Sequence, residues 1–137
     1  MDYFHLSAGQ DAIEQISALG LAHLGDGVYE LMVRSWLCLH GKATNAGLHR
    51  AAVRYVSAPA QAKLAHAILP RLTDEEQAVY RRGRNSHTAN LPKGASVGEY
   101  HAATALESLF GWLYLQGKTD RLGELFDLMM EEAGHAL

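Results

Sequence analysis

The chain has 137 residues, which is long enough for one ordinary hydrophobic core. Its composition, 48% hydrophobic and 20% charged residues, is too apolar for a disordered protein. Its single cysteine, Cys38, excludes an intramolecular disulfide framework and a zinc site built from thiolates. No stretch reaches the roughly 20 apolar residues of a membrane helix, and the N-terminus has no secretory signal pattern. We therefore expect a cytoplasmic protein with one domain, 1–137, and no membrane partner.

The net charge of −3 is unevenly distributed along the chain. Residues 31–98 contain ten Lys or Arg and three acids, a net charge of +7, whereas the two flanks together carry −10. A basic middle between acidic ends can bind phosphates locally, or it is simply uneven surface charge. The charge count alone leaves both interpretations open.

Apolar periodicity predicts helix after helix, and strand-like alternation is absent, so the predicted class is all-α. Six helices are expected, with the approximate bounds 17–40, 45–56, 58–69, 74–84, 97–116 and 120–133. Their ends carry recognisable signals, among them Gly41 after the first helix, Pro59 near the start of the third, and the capping box that opens at Thr73. Cys38 falls inside the apolar run of the first helix and is expected in the core.

The longest connection is the loop 85–98, which is rich in Asn, Ser, His, Gly and Pro. A loop of about fourteen residues in a compact domain is usually functional or mobile. The basic run 81–85 leads directly into it, and no acid occurs between Gln77 and Gly98. This composition favours a phosphate backbone over a protein as the partner of the loop.

Two carboxylates, Asp26 and Glu107, lie inside otherwise apolar helical segments. A buried ionised carboxylate must be paired, protonated or bound to a cation, and two carboxylates from separate helices suit Mg²⁺, which keeps several waters. Glycines on both sides of Asp26 are tolerable where something approaches the backbone closely. The alternative is structural, with Asp26 accepting a backbone N–H and Glu107 paired with an arginine. From these residues alone the structural alternative is favoured, because buried acids are more often paired than catalytic.

Taken together, the segments resemble the Mini-III ribonucleases, ribonuclease III-like endoribonucleases that consist of the nuclease domain alone. The matching stretches, in order and at family-like spacing, are 21–30, 48–49, 55–62, 74–76, 81–85, 92–93, 100 and 104–115. They cover nearly the whole chain. Each stretch alone is weak evidence for the family, but the set in this order is specific to it.

The resemblance implies the all-α ribonuclease III endonuclease-domain fold, a homodimer, and Mg²⁺-dependent cleavage of double-stranded RNA to 5′-phosphate products. It also implies a role in trimming precursor large-subunit ribosomal RNA, with an accessory ribosomal protein as a further candidate partner. Asp26 and Glu107 fall on the family's catalytic, metal-holding carboxylates. Full-length ribonuclease III has additional acids where this chain has Leu19, Ala22 and Thr104, and Gly27 replaces the alanine usual in the family.

The resemblance and the charge pattern together suggest which residues contact the RNA backbone. The candidates are Arg81, Arg82, Arg84, Asn85, His87 and Lys93, with Lys42, Arg50, Arg54 and Lys63 as additions. Glu30 and Thr104 are candidates for an outer ring around the metal ligands, although Glu30 is more simply explained by pairing with a neighbouring base.

Two rival functions remain at this point. One is a catalytically silent RNA-binding scaffold of the same fold, which would need neither Asp26 nor Glu107. The other is an all-α nucleotide pyrophosphohydrolase, which uses Glu-x-x-Glu pairs on neighbouring helices. The acids at 74–76 and 131–132 form no such pair.

Overall fold

The computed structural model describes residues 1–41, 44–86 and 95–136, the side chains of 135 and 136 excepted, and within these ranges it contains helices and no strand. The all-α prediction is confirmed. The α-helices are α1 Gln10–Glu14, α2 Ala18–Leu39, α3 Asn45–Val56, α4 Ala58–Ala65, α5 Asp74–Arg84, α6 Val97–Leu115 and α7 Thr119–Ala136. A short 3₁₀ turn, Leu69–Arg71, connects α4 to α5.

Side-chain caps fix where several helices begin. The Ser17 side chain accepts a hydrogen bond from the Gly20 amide at the start of α2. Thr73 and Glu76 form the capping box predicted for α5, in which each side chain accepts from the other residue's backbone amide. Ser96 begins α6 with a second capping box. These contacts satisfy backbone N–H groups that have no partner within the helix.

The observed helices differ from the predicted ones at three places. Helix α1 was not predicted, because five residues with one buried side chain, Ile13, are too short to show a period. Helix α4 ends at Ala65 rather than near 69, since the next backbone hydrogen bonds span three residues instead of four before Pro70. Helix α7 begins one residue earlier than expected and continues to Ala136.

Helix α6 is the centre of the fold and packs against α2, α5 and α4, and more lightly against α7. Its buried side chains run from Ala103 to Leu113 and contribute much of the core. Tyr29 of α2 is fully buried against Phe110, with ring centroids 5.7 Å apart, and its hydroxyl donates to the Tyr55 carbonyl at 2.8 Å. This one side chain therefore ties α2, α3 and α6 together.

A buried ion pair links α7 to α5. The Arg121 guanidinium contacts both carboxylate oxygens of Glu76, at 2.9 and 2.7 Å, and also donates to the Arg71 carbonyl at 2.8 Å. Burial raises the pKa of Glu76, but the hydrogen bonds from Arg121 and Thr73 and the charge of Arg121 together outweigh burial and hold this pKa below its usual range. Glu76 thus serves both as the cap of α5 and as the anchor of α7.

Cys38 is exposed, so the expected core position is wrong. The buried positions of α2 follow Tyr29, Val33 and Leu37, and Cys38 is rotated by about 100° from Leu37 toward solvent. In the described part of the chain, no helix combines the length and the apolar character needed to cross a membrane.

Candidate active site

The site lies where α2 and α6 cross at close range. A Cβ atom on Gly25 would stand 1.6 Å from the backbone oxygen of Glu107, and one on Gly111 would stand 2.2 Å from the Leu21 carbonyl oxygen. Both positions therefore require glycine. Gly27 is different, since a Cβ there would meet nothing within 4 Å. The expected close approach to the backbone holds for one of the two glycines that flank Asp26.

This crossing brings Asp26 and Glu107 within reach of a side-chain hydrogen bond. Burial first, and then the charge of Asp26 and a hydrogen bond with Asp26, together raise the pKa of Glu107 to about 8, against a smaller opposing effect of Gln61. The Asp26 side chain is exposed, so its expected burial is wrong, and Glu107 is half-buried. Of the two carboxylates, Glu107 is therefore the one that loses hydration when the chain folds.

The contacts of Glu107 do not match the structural alternative of an arginine partner. The groups that shift its pKa are a second acid and an amide. Two carboxylates in contact repel unless a proton or a cation lies between them. A carboxyl group whose pKa is raised strongly by burial and by a neighbouring like charge is typical of functional sites.

Gln61 is a third member of the site, and its functional role was not predicted from the sequence. It belongs to α4 and is 2% exposed. Its Nε2 donates to the Val56 carbonyl at 2.8 Å and to Glu107 Oε2 at a longer 3.4 Å. The signal in the sequence was a glutamine on a helix face whose other buried residues are Ala60, Leu64 and Ala65.

The donor set fits a hard divalent cation. Among the described residues, no group of three or more His, Cys, Asp or Glu side chains could hold a metal ion, so the carboxylate pair stands without a third acid. Mg²⁺ is commonly bound through one or two carboxylates and keeps several waters. The Oε1 atom of Gln61, buried and without a hydrogen-bond partner, adds an acceptor beside the pair.

Glu30 and Thr104 are engaged on their own helices. Glu30 forms an ion pair with Arg34 at 2.7 Å, one turn along α2, as the simpler explanation expected. Thr104 is buried, and its hydroxyl donates to the Tyr100 carbonyl at 3.1 Å. Besides Asp26, the side chain that hydrogen-bonds to Glu107 is Gln61, and not Glu30 or Thr104.

The basic turn of α5 lies beside the carboxylate-bearing part of α6. Arg81, Arg82 and Arg84 occupy its last turn, Asn85 follows as the C-cap, and all four are exposed. A Cβ on Gly83 would come within 2.5 Å of the Ser108 hydroxyl, so this turn packs closely against the residue after Glu107. The buried Ser108 hydroxyl in turn donates to the Ala18 carbonyl at 2.9 Å.

The remaining predicted RNA contacts divide into two groups. Arg54 and Lys63 line a groove along α3 and α4 together with His66, and Arg50 is exposed on α3. Three predicted residues lie outside the described residues: Lys42, His87 and Lys93.

Comparison with known proteins identifies the family of the chain. The model of the Ribonuclease III domain matches residues 19–118. Mini-ribonuclease 3 of Symbiobacterium thermophilum is 49% identical over 107 residues, 78% of this chain and 82% of that protein. Mini-ribonuclease 3 of Enterococcus faecalis is 42% identical over 123 residues, 88% and 93% of the respective chains.

The crystal structure of protein FN1578 from Fusobacterium nucleatum superimposes with a TM-score of 0.78 at 30% identity, covering 84% of this chain and 93% of that one. These similarities favour an enzyme over a silent scaffold, and a ribonuclease over a pyrophosphohydrolase. The chain belongs to the ribonuclease III family and is an endoribonuclease similar to the Mini-ribonuclease 3 proteins.

Proposed function

We propose that this protein is a Mg²⁺-dependent endoribonuclease that cleaves double-stranded RNA, with precursor large-subunit ribosomal RNA as its substrate. The observation that carries the proposal is the contact between Asp26 and Glu107 at the glycine crossing of α2 and α6. Gly25 and Gly111 allow α2 and α6 to approach closely, and this approach holds the two acids together. The two acids then form a preorganised cation site.

In this proposal Asp26 and Glu107 would hold the cation, with Glu107 in its ionised form. Bound Mg²⁺ lowers the pKa of an attacking water and stabilises negative charge on the scissile phosphate. The half-buried setting of Glu107 strengthens its attraction for a cation, because fewer waters screen the charge. Attack by water on the phosphorus with cleavage of the bond to the 3′-oxygen would give products with a 5′-phosphate and a 3′-hydroxyl.

The basic turn of α5 would hold the RNA. A-form duplexes are recognised mainly through shape, backbone phosphates and 2′-hydroxyls, and arginines suit phosphates because of their planar fork of donors. Arg81, Arg84 and Asn85 project from the end of α5 that packs against α6 beside Glu107. His87 and Lys93 remain proposed contacts on the strength of the sequence.

A homodimer with one strand cut per subunit completes the proposal. Apolar side chains on the outer surface of α2 support it, since Leu19 is 40% and Leu31 is 53% exposed. Sedimentation equilibrium should give twice the monomer mass at micromolar concentration. A monomer mass under those conditions would contradict the dimer while leaving the metal site untouched.

The central test is cleavage of a perfect RNA duplex by the parent and by Asp26→Asn, each with Mg²⁺ and with EDTA. The variant removes one cation ligand with little change of shape, so we expect its cleavage rate to fall at least about 100-fold, while duplex binding stays within about twofold. Equal rates for the two proteins would contradict the proposed site. Binding without cleavage by the parent would instead support the scaffold function.

The ribosomal substrate requires its own test. Precursor and mature large-subunit RNA should be offered to the parent in competition, with and without large-subunit ribosomal proteins. Cleavage confined to the flanking duplex of the precursor is the expected result. Equal cleavage rates for the precursor and an unrelated duplex would limit the function to general cleavage of double-stranded RNA.

A further inference from the structure

Gln61 carries an unusual combination of burial and incomplete hydrogen bonding. Of the buried side-chain nitrogen and oxygen atoms in the described part of the chain, its Oε1 alone has no hydrogen-bond partner. An unsatisfied buried acceptor is unfavourable, so native structures keep few of them and each calls for an explanation. The residue lies against Glu107, far from it in sequence but adjacent in space.

The orientation of the Gln61 amide is forced by its neighbours. The groups recorded near its nitrogen are the Val56 carbonyl at 2.8 Å, which can only accept, and Glu107 Oε2 at 3.4 Å. A flipped amide would place its oxygen against the Val56 carbonyl oxygen. The nitrogen is therefore committed to the protein, and the oxygen is left to accept a hydrogen bond from a group that is not part of the protein.

We infer that Gln61 is a positioning residue of the active site. Its Nε2 orients the Glu107 carboxylate toward Asp26, and its Oε1 accepts a hydrogen bond from a donor that arrives with the hydrated divalent cation. Partners of this kind orient metal ligands in many sites, and their loss typically lowers metal affinity or activity about 10–100-fold. The inference rests on the proposed cation site at Asp26 and Glu107.

Gln61→Met tests the inference because methionine has a similar length and no hydrogen-bonding amide. The cation probe is Mn²⁺ alone, titrated calorimetrically into the RNA-free protein. We expect the Kd for Mn²⁺ to rise about 10-fold and kcat on duplex RNA to fall about 10–100-fold, with KM unchanged within about twofold. A purely structural role would lower the melting temperature and leave the Mn²⁺ affinity and kcat of the folded protein unchanged.

The chain offers a matched control in Gln77. Its Nε2 donates to the carbonyl five residues earlier, Leu72, at 3.3 Å, just as Gln61 donates to Val56, but Gln77 is exposed on α5. Gln77→Met should therefore keep the parental Mn²⁺ affinity and kcat. Equal losses of Mn²⁺ affinity and kcat in both variants would overturn the inference. They would show that the effect comes from losing a glutamine–carbonyl hydrogen bond at the start of a helix, and not from the contact with Glu107.

Gln61→Glu keeps the test decisive if the methionine variant fails to fold. Glutamate retains an acceptor oxygen and loses the donor, so we expect Mn²⁺ to bind at least as tightly as in the parent while kcat falls about 10-fold. Parental kcat in this variant would overturn the inference. If the parent itself binds no Mn²⁺ and Asp26→Asn cleaves normally, the proposed function fails as well, which separates the two outcomes.

Discussion

The surroundings of Glu107 raise the pKa of its carboxyl group. Burial raises its pKa first, and contact with Asp26 adds a like charge and a hydrogen bond, so its pKa reaches about 8. The protonated form is then favoured near neutral pH in the cation-free protein, because it removes the repulsion between the two acids. A divalent cation can take the place of that proton, which couples metal binding to proton release.

The raised pKa predicts a pH-dependent stability. A group whose folded pKa exceeds its unfolded value contributes stability below the unfolded pKa of about 4.5, and this contribution is lost as the pH rises through about 8. The melting temperature of the cation-free parent should therefore fall between pH 5 and pH 8 by more than that of Glu107→Gln, which has no such titration. The measurement is thermal unfolding in EDTA across this pH range.

Glu131→Gln is the control for this experiment, because Glu131 is exposed near the end of α7. It should follow the parent at every pH. Identical pH profiles for Glu107→Gln and the parent would contradict the effect of burial and of Asp26 on Glu107.

The crossing of α2 and α6 decides how the site is assembled. Helices in globular proteins normally pack with their axes 8–10 Å apart, and glycines allow a closer approach. Gly25 and Gly111 each face the backbone of the opposite helix, so the two helices meet there without intervening side chains. Asp26 follows Gly25 directly, and Glu107 is the residue whose backbone Gly25 touches, which explains why the two carboxylates meet.

The two glycines beside Asp26 should respond to alanine in opposite ways. Gly25→Ala would force a methyl group into the Glu107 backbone and separate α2 from α6, so we expect a loss of about 3 kcal/mol or more and loss of cleavage. Gly27→Ala meets open space and removes a poor helix former, so it should stabilise the protein by about 0.5–1 kcal/mol. Urea unfolding monitored by circular dichroism gives both values.

Cleavage assays belong with the unfolding curves in this pair. Gly27→Ala should cleave duplex RNA at a rate similar to the parent, since the Asp26–Glu107 contact is preserved. A stable and active Gly25→Ala protein would show that the close crossing is dispensable for the site.

The protein as a whole is acidic and yet presents a basic end of one helix beside its carboxylates. The net charge of −3 conceals a middle segment with an excess of arginine and lysine. The structure places part of that excess on the exposed last turn of α5, held against α6 at Gly83. Local positive charge of this kind attracts a polyanion even when the total charge is negative.

Removing two of these arginines should weaken RNA binding in a salt-dependent way. For Arg81→Ala combined with Arg84→Ala, we expect the slope of log K against log salt concentration to fall by about 2, roughly one unit for each phosphate contact. Fluorescence anisotropy of a labelled duplex, measured in Ca²⁺ at several salt concentrations, gives the slope. Ca²⁺ is chosen to slow cleavage during the measurement.

Arg71→Ala serves as the charge control, because Arg71 is exposed in the 3₁₀ turn before α5, at the opposite end of that helix. It should leave the slope unchanged. A reduction of about 1 for Arg71→Ala, the same for each charge removed as in the α5 double variant, would point to net charge rather than to a binding surface on α5.

Local sequence signals were sufficient for the all-α class, for most helix ends and for the capping box at Thr73. They were also sufficient to single out Asp26 and Glu107, because acids within apolar periodic segments are conspicuous in the sequence itself. These properties depend on residues three or four positions apart, which is the range over which helix periodicity and capping operate.

Contacts between distant helices required the folded chain. Gln61 touches Glu107 from 46 positions away, Gly25 needs glycine where Gly27 does not, and Cys38 and Asp26 face solvent although their neighbours are apolar. Each of these outcomes depends on how α2 and α4 are placed against α6. That placement comes from packing between residues far apart in sequence, which no local period encodes.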